Sequence, residues 1–294
     1  MRPRTRLIWL QGITCNGNTH SFLNYPGLEL LLEKFELLYH PALPCTGTLG
    51  EVAACEETCD VLVVEGAYRG DFERAGVAME KLLGHYASGA EHIIAAGSCA
   101  SFGGMFRATD PDSVSGILFD REIPEGPLSG FADKVINLPG CPLHPEWLAF
   151  VLHRIADGGE VACDQLRRPR ELFAYMVHHG CMRNEYFEWK VDARSFGTKE
   201  GCLFYDQGCR GPMTHGPCNK ILWNGAASKT RSGQPCFGCT EPDFPRTDLF
   251  ETKKNMSIPA EVPLGVSKRS YLTVTGVVKS FAVERLNGRL IDDA

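Results

Sequence analysis

No stretch of this sequence comes near the ~18 consecutive apolar residues that a membrane-crossing helix needs. No block of lysine and arginine interrupts a chain whose formal charge is -6 over 294 residues. The first absence excludes a helical membrane span, and the second argues against nucleic acid as a partner. The opening MRPRTRLIWLQG carries early arginines but neither an apolar h-region with a small-residue cleavage site nor a twin-arginine leader. A cytoplasmic location is therefore expected, with peripheral attachment at the cytoplasmic face of the membrane left open. Phosphate-cradling glycines are missing as well. Residues 12–17 (GITCNG) lack the G-x-G-x-x-G spacing, and Asn18-Thr19 follows where a P-loop has Lys-Ser/Thr. Nor does Cys236-x-x-Cys239 have a second C-x-x-C knuckle to face it, as a zinc ribbon requires.

What the chain has instead is cysteine, thirteen in all. In a reducing compartment so many thiols point to metal and away from a disulfide framework. Five of them fall in residues 202–239, CLFYDQGCRGPMTHGPCNKILWNGAASKTRSGQPCFGC, among glycines, prolines and few aliphatics. Such a segment reads as linked turns with too little apolar surface to offset the entropy of ordering it, so something other than burial must hold it.

The first 160 residues read differently. Apolar runs at 6–11, 35–39, 61–65, 92–96 and 134–138 predict strands. Helices are predicted from about Pro26, from an N-cap at Asp71 through Tyr86, and from about Pro145 to Gly158-Gly159. This alternation implies an open parallel sheet with helices on both faces, whose ligands sit outside the carboxyl ends of the strands. Cys15, Cys99 and Cys141 each lie just past such an end. A flavin on this sheet remains an alternative. Around RRPRE at 167–171 the alternation stops, and His178-x-x-Cys181, Cys202, Cys209, Cys218, Cys236 and Cys239 follow. Single, staggered cysteines suit the corners of iron-sulfur clusters better than one tetrahedral ion, though structural zinc stays open for this second part. In the tail, one helix is expected around SYLTVTGVVKSFAVERL.

WLQG-x-x-C near the N-terminus, VVEGA at 63–67, GSCASFGG at 97–104, LPGCPLHPEW at 138–147, H-x-x-C at 178–181, CLFYDQGCRGP at 202–212 and PCFGC at 235–239 together resemble the small subunit of nickel-iron hydrogenases. Their details are similar to the cytosolic uptake branch of cyanobacteria and actinobacteria, and the chain ends soon after the cluster domain without a membrane helix. The resemblance implies a flavodoxin-like domain over residues 1–165 and a largely irregular iron-sulfur domain over 166–294. It assigns Cys15, Cys99 and Cys141 to a proximal cluster, Cys218, Cys236 and Cys239 to a medial one, and His178, Cys181, Cys202 and Cys209 to a distal one. Cys45, Cys55, Cys59 and Cys163 match no ligand; Cys55 and Cys59, four apart on an expected helix, read as small buried hydrophobes.

Asn18 stands where the family's proximal motif has a second cysteine, so the fourth corner is expected to be vacant and the proximal cluster to hold three irons (3Fe-4S), like the medial one. The distal cluster is expected to hold four irons or three, because the gap from Cys202 to Cys209 is one residue longer than the family's. An N-cap for a helix beginning near Thr19-His20 is the other role open to Asn18. Gly17 and Gly104 occupy the positions of the extra cysteines of the oxygen-tolerant membrane-bound branch. The implied function is electron transfer from dihydrogen, split on an obligate large subunit that alone carries the nickel-iron centre, to an acceptor protein or quinone, in a higher oligomer of heterodimers. A regulatory hydrogen sensor uses the same parts, and a zinc-stabilised interaction protein is the rival from another class.

Overall fold

The structure, a computed structural model, describes residues 4–247, 249–250, 267, 269–271, 273–274 and 277. The first part of the chain builds, in order, β1 (Thr5–Gln11), α1 (Gly17–Leu23), α2 (Leu28–Leu32), β2 (Phe35–Tyr39), α3 (Leu49–Ala54), β3 (Val61–Glu65), β4 (Glu73–Arg74), β5 (Val77–Ala78), α4 (Met79–Gly89), β6 (His92–Ala96), α5 (Gly97–Phe102), α6 (Gly104–Thr109), β7 (Val135–Leu138) and α7 (Pro145–Ala156). Five parallel strands lie in the order β2-β1-β3-β6-β7. This is the flavodoxin-like arrangement, whose direction of growth reverses between β1 and β3 and so leaves a crevice outside their carboxyl ends. The reason is in the strands themselves: β3 is buried at all five positions, as a parallel strand covered on both faces must be. Ile8, Leu10, Leu62, Val64 and Ile93 of the sheet join Met79, Leu82, Leu83 and Tyr86 of α4 in one core.

Three local expectations fail, each for a legible reason. Asp71 caps no helix. Ala75 and Gly76 both adopt positive φ, +52° and +75°, which folds 73–78 into a two-residue hairpin of the type that needs two such residues, and α4 starts only at Met79. Cys55 and Cys59 do not share a helix, because α3 ends at Ala54 and Cys55 is extended; Cys59 is buried while Cys55 is exposed. Asn18 is no N-cap either. Asn16, at φ +61°, occupies the N-cap position of α1, which places Asn18 inside the first turn.

Two compact units are present. One comprises the described residues up to Leu172 together with Cys239–Phe244; the other comprises Phe173–Gly238 and the described residues after Phe244. The first unit thus extends past residue 165, because the Arg167 carbonyl accepts from the Asn137 N–H at 2.8 Å and the Leu166 carbonyl accepts from Asn137 Nδ2 at 2.8 Å, tying this segment to β7. After α8 (Arg170–Phe173), the second unit has only the short helices α9 (Asn184–Trp189) and α10 (Phe204–Gln207) and brief 3-10 turns. Cysteine does much of the filling in its interior. Cys209 and Cys236 pack with Val177, Ala193 and Leu203, with Cys218 against them, and Cys202 packs with Phe187 and Phe204. Of the helix expected in the tail, residues 270–271, 273–274 and 277 are helical; the remainder lies outside the described residues.

Candidate metal centres

At the carboxyl edge of the sheet Cys15 lies in the loop after β1, Cys99 in α5, which follows β6 directly, and Cys141 in the turn after β7. Cys15 is exposed and the other two are partly buried. Burial pushes the Cys99 thiol up, the N–H groups of Met105 and Phe106 pull it back, and neighbouring Cys15 and Glu65 add to the rise. Gly17 and Gly104 abut these sulfurs: a Cβ at Gly17 would lie 3.2 Å from Cys15 Sγ and one at Gly104 2.9 Å from Cys99 Sγ.

Glu65 ends β3, between β1 and β6, and is fully buried. Six hydrogen bonds reach its carboxylate. Asn18 N–H (3.0 Å), Thr19 N–H (3.2 Å) and Thr14 Oγ1 (3.2 Å) donate to Oε1, and Gln11 Nε2 (3.0 Å), Trp9 Nε1 (3.2 Å) and Thr19 Oγ1 donate to Oε2. Burial alone would raise its pKa, but the donors from Thr19, Gln11 and Trp9 together outweigh burial and hold the carboxyl below its ordinary value. An ionised Glu65 therefore fixes the turn that bears Cys15. Close approach of β1 and β3 makes this possible. Ile13 and Ala67 exchange N–H···O bonds of 2.9 Å, and Gly66 turns at φ +93°, where a Cβ would meet the Ile13 carbonyl at 2.5 Å.

Asn18 links the same three segments. Its Nδ2 donates to the carbonyl of Ala96, the N-cap of the α5 helix that carries Cys99, at 3.0 Å, and its Oδ1 accepts from the Leu143 N–H at 2.8 Å, two residues after Cys141. The carboxamide is thus committed to backbone at both ends.

In the second unit, His178, Cys181, Cys202, Cys209 and Arg183 line one small cavity with apolar Val177, Leu203, Phe204 and Pro212. His178 sits edge-on to Phe187 with ring centroids 4.5 Å apart. Burial, then the charges of His179 and Lys190, push its pKa down to about 4, which keeps the imidazole neutral. His179 does not line this cavity; its Nδ1 accepts from the Met176 N–H at 3.1 Å. Backbone donors converge on the sulfurs. Phe204 N–H lies 3.4 Å from Cys202 Sγ, and Cys236 N–H and Gly211 N–H lie 3.3 and 3.5 Å from Cys209 Sγ. Burial nonetheless pushes both thiols up to about 12, so their protons leave only when a metal takes their place.

Of the remaining candidates, Cys218 and Cys236 belong to the second unit and Cys239 to the first. Gly238 N–H donates to Cys236 Sγ at 3.5 Å, and Ser98 Oγ donates to the Cys239 carbonyl. No disulfide joins any of the thirteen cysteines. Among the described residues no three His, Cys, Asp or Glu side chains close around a single metal ion.

Comparison with known proteins decides the family. The chain is 32% identical over 287 residues to the F420 non-reducing hydrogenase II small subunit of Methanosarcina mazei, an alignment covering 82% of this chain and 73% of that one. The chain belongs to the small-subunit family of nickel-iron hydrogenases. The periplasmic NiFe hydrogenase small subunit of Solidesulfovibrio fructosivorans is 30% identical over 83% of this chain and 80% of its own length. Residues 173–251 match the family profile for the C-terminal part of the NiFe/NiFeSe hydrogenase small subunit, and residues 15–155 match the profile for the 20 Kd subunit of NADH ubiquinone oxidoreductase. The fold is shared with the actinobacterial-type NiFe-hydrogenase of Ralstonia eutropha H16, at a TM-score of 0.71 and 21% identity over 97% of this chain and 92% of that one.

This small subunit is therefore a non-catalytic, electron-transfer subunit of an oxidoreductase complex, partnered by a large subunit that carries the nickel-iron centre. The residues present fit iron-sulfur clusters. Backbone N–H groups aimed at buried sulfurs are what a cluster's thiolates accept, and the neutral imidazole of His178 retains a lone pair for iron. Two residues escaped the sequence reading. Glu65 had a signal, a charge closing an otherwise apolar strand, whereas Arg183 had none.

Proposed function

We propose that this chain is the electron-relay subunit of a cytoplasmic uptake hydrogenase. In this reading it holds three iron-sulfur clusters and passes electrons from dihydrogen to a quinone. Cys15, Cys99 and Cys141 hold the proximal cluster, with three irons because Asn18 supplies no thiolate. Cys218, Cys236 and Cys239 hold a three-iron medial cluster by resemblance alone, and His178, Cys181, Cys202 and Cys209 hold the distal one, with four irons or three. The complex is a higher oligomer of such heterodimers. The observation that carries the reading is the cavity on which His178, Cys181, Cys202 and Cys209 converge, a histidine-and-three-cysteine set with N–H donors directed at its sulfurs.

When bound, the clusters supply one-electron steps that a protein side chain cannot. The chain's own residues do the rest. Ionised Glu65 and the carboxamide of Asn18 hold the three proximal segments in register, and Phe187, Phe204 and Tyr205 pack together beside the distal set. The test is dihydrogen oxidation by the purified complex with a soluble quinone as acceptor. Sustained quinone reduction, lost when Cys209→Ala removes one distal thiolate, is expected. Slow turnover with tight binding of a protein kinase would assign the chain to a hydrogen sensor instead.

A further inference from the structure

Among the described residues two arginines are almost fully buried, and they are partnered in opposite ways. Arg168, 4% exposed, sits in ordinary ion pairs, its Nε 2.9 Å from Asp164 and its Nη1 3.4 Å from Glu241. Arg183, 3% exposed, has no carboxylate within ion-pair distance among the described residues. Its guanidinium donates to four backbone carbonyls instead: Thr230 from Nε at 2.8 Å, Gly201 and Glu200 from Nη1 at 2.8 and 3.2 Å, and Thr198 from Nη2. Carbonyls satisfy N–H groups but carry no formal charge, and a buried cation without a counter-charge is costly. The same side chain lines the cavity of His178, Cys181, Cys202 and Cys209. Three cysteines are neutral as thiols; as thiolates on a cluster they supply the anion that Arg183 otherwise lacks.

We propose that Arg183 is the fixed counter-charge of the distal cluster and sets that cluster's reduction potential. The inference rests on the reading that these four residues hold an iron-sulfur cluster. Adding an electron adds negative charge, which a cation held at the cavity wall stabilises, so Arg183 raises the potential of the distal centre and favours its receiving electrons. The four carbonyl bonds keep the charge in place without neutralising it. A guanidinium never loses its proton at working pH, so the bias is constant.

The experiment is an EPR-monitored redox titration of the complex with its large subunit, with iron analysis, for wild type, Arg183→Gln and Arg183→Lys. Arg183→Gln is expected to make reduction of the distal centre at least tenfold less favourable, a fall of ~59 mV or more for one electron, with the proximal and medial centres unmoved. Arg183→Lys, which keeps the charge but not the fork, is expected to stay near the wild-type value. A distal signal unmoved in Arg183→Gln overturns the inference and leaves the cluster reading standing. Wild type with no iron or signal attributable to this site overturns the reading itself. Should Arg183→Gln lose the cluster, Arg183→Lys decides: a loaded centre at the wild-type potential supports the charge, and loss or an equal shift reduces Arg183 to a clamp on the backbone.

Discussion

Replacing Asn18 separates two views of that residue, as the occupant of a vacant iron corner and as a strut between the proximal turns. Its Nδ2 bond to the Ala96 carbonyl and Oδ1 bond from the Leu143 N–H are both buried, and the residue is only 8% exposed. Asn18→Ala strands both backbone groups. At about 1–3 kcal/mol for each buried group left without a partner, the loss is roughly 2–6 kcal/mol, equivalent to a fall in the unfolding midpoint on the order of 10 °C. Asn18→Cys loses the same two bonds. Before iron is added it is expected to be as destabilised as the alanine variant; after reconstitution it alone regains stability, because only a thiolate gives a fourth iron a ligand. Thermal unfolding of both variants with and without iron, beside EPR of the oxidised proximal centre, reads these effects. An Asn18→Ala protein that melts with wild type and keeps an unchanged proximal signal would refute the strut.

Other predictions concern the same unit and the distal set. Glu65→Gln turns one acceptor oxygen into a donor facing fixed N–H groups, and is expected to cost about 3 kcal/mol, read by denaturant unfolding; a change under ~0.5 kcal/mol contradicts the six-donor account. Glu65 has a folded pKa below its ordinary value, so its contribution is complete above the ordinary carboxyl range and is lost as pH falls through the folded value. His40 acts earlier on the acid side. Burial, partly opposed by Glu65, pushes its pKa down to about 4 from 6.5, and its Nδ1 already accepts the N–H groups of Ala42 and Leu43 at 3.1 and 3.0 Å. The unfolded chain therefore takes up a proton first, and roughly 3 kcal/mol is lost between pH 6.5 and 4. Stability flat across that window, or unchanged slope in His40→Phe, contradicts it. His178→Ala is expected to abolish or shift the distal EPR signal, while His179→Ala, which frees only the Met176 N–H, leaves it in place; the reverse outcome reassigns the ligand.

The sheet was readable because its strands are apolar along their whole length, as at Val61–Glu65, and because the cysteines fall immediately after strands. Topology then brings turns distant in sequence to one edge. What the sequence hid depends on backbone detail. The pair of positive φ angles at Ala75 and Gly76 that shortens α4 has no apolar period, and the shift of the N-cap from Asn18 to Asn16 turns on one left-handed residue. Arg183 was illegible for another reason: its partners are carbonyls, which every residue carries. In the second unit, motif spacing supplied the candidates, with His178 preferred to His179 through its H-x-x-C spacing to Cys181, and in the folded chain His178 lines the cavity while His179 does not.

The most direct test of the central claim, an electron relay of three iron-sulfur clusters on this chain, is to purify the complex with its large subunit and determine iron, acid-labile sulfide and zinc together with an EPR redox titration. The account predicts iron and sulfide sufficient for three clusters, three separately titrating centres and no stoichiometric zinc. Zinc without labile sulfide, or a complex in which fewer than three centres titrate at full metal loading, would contradict it.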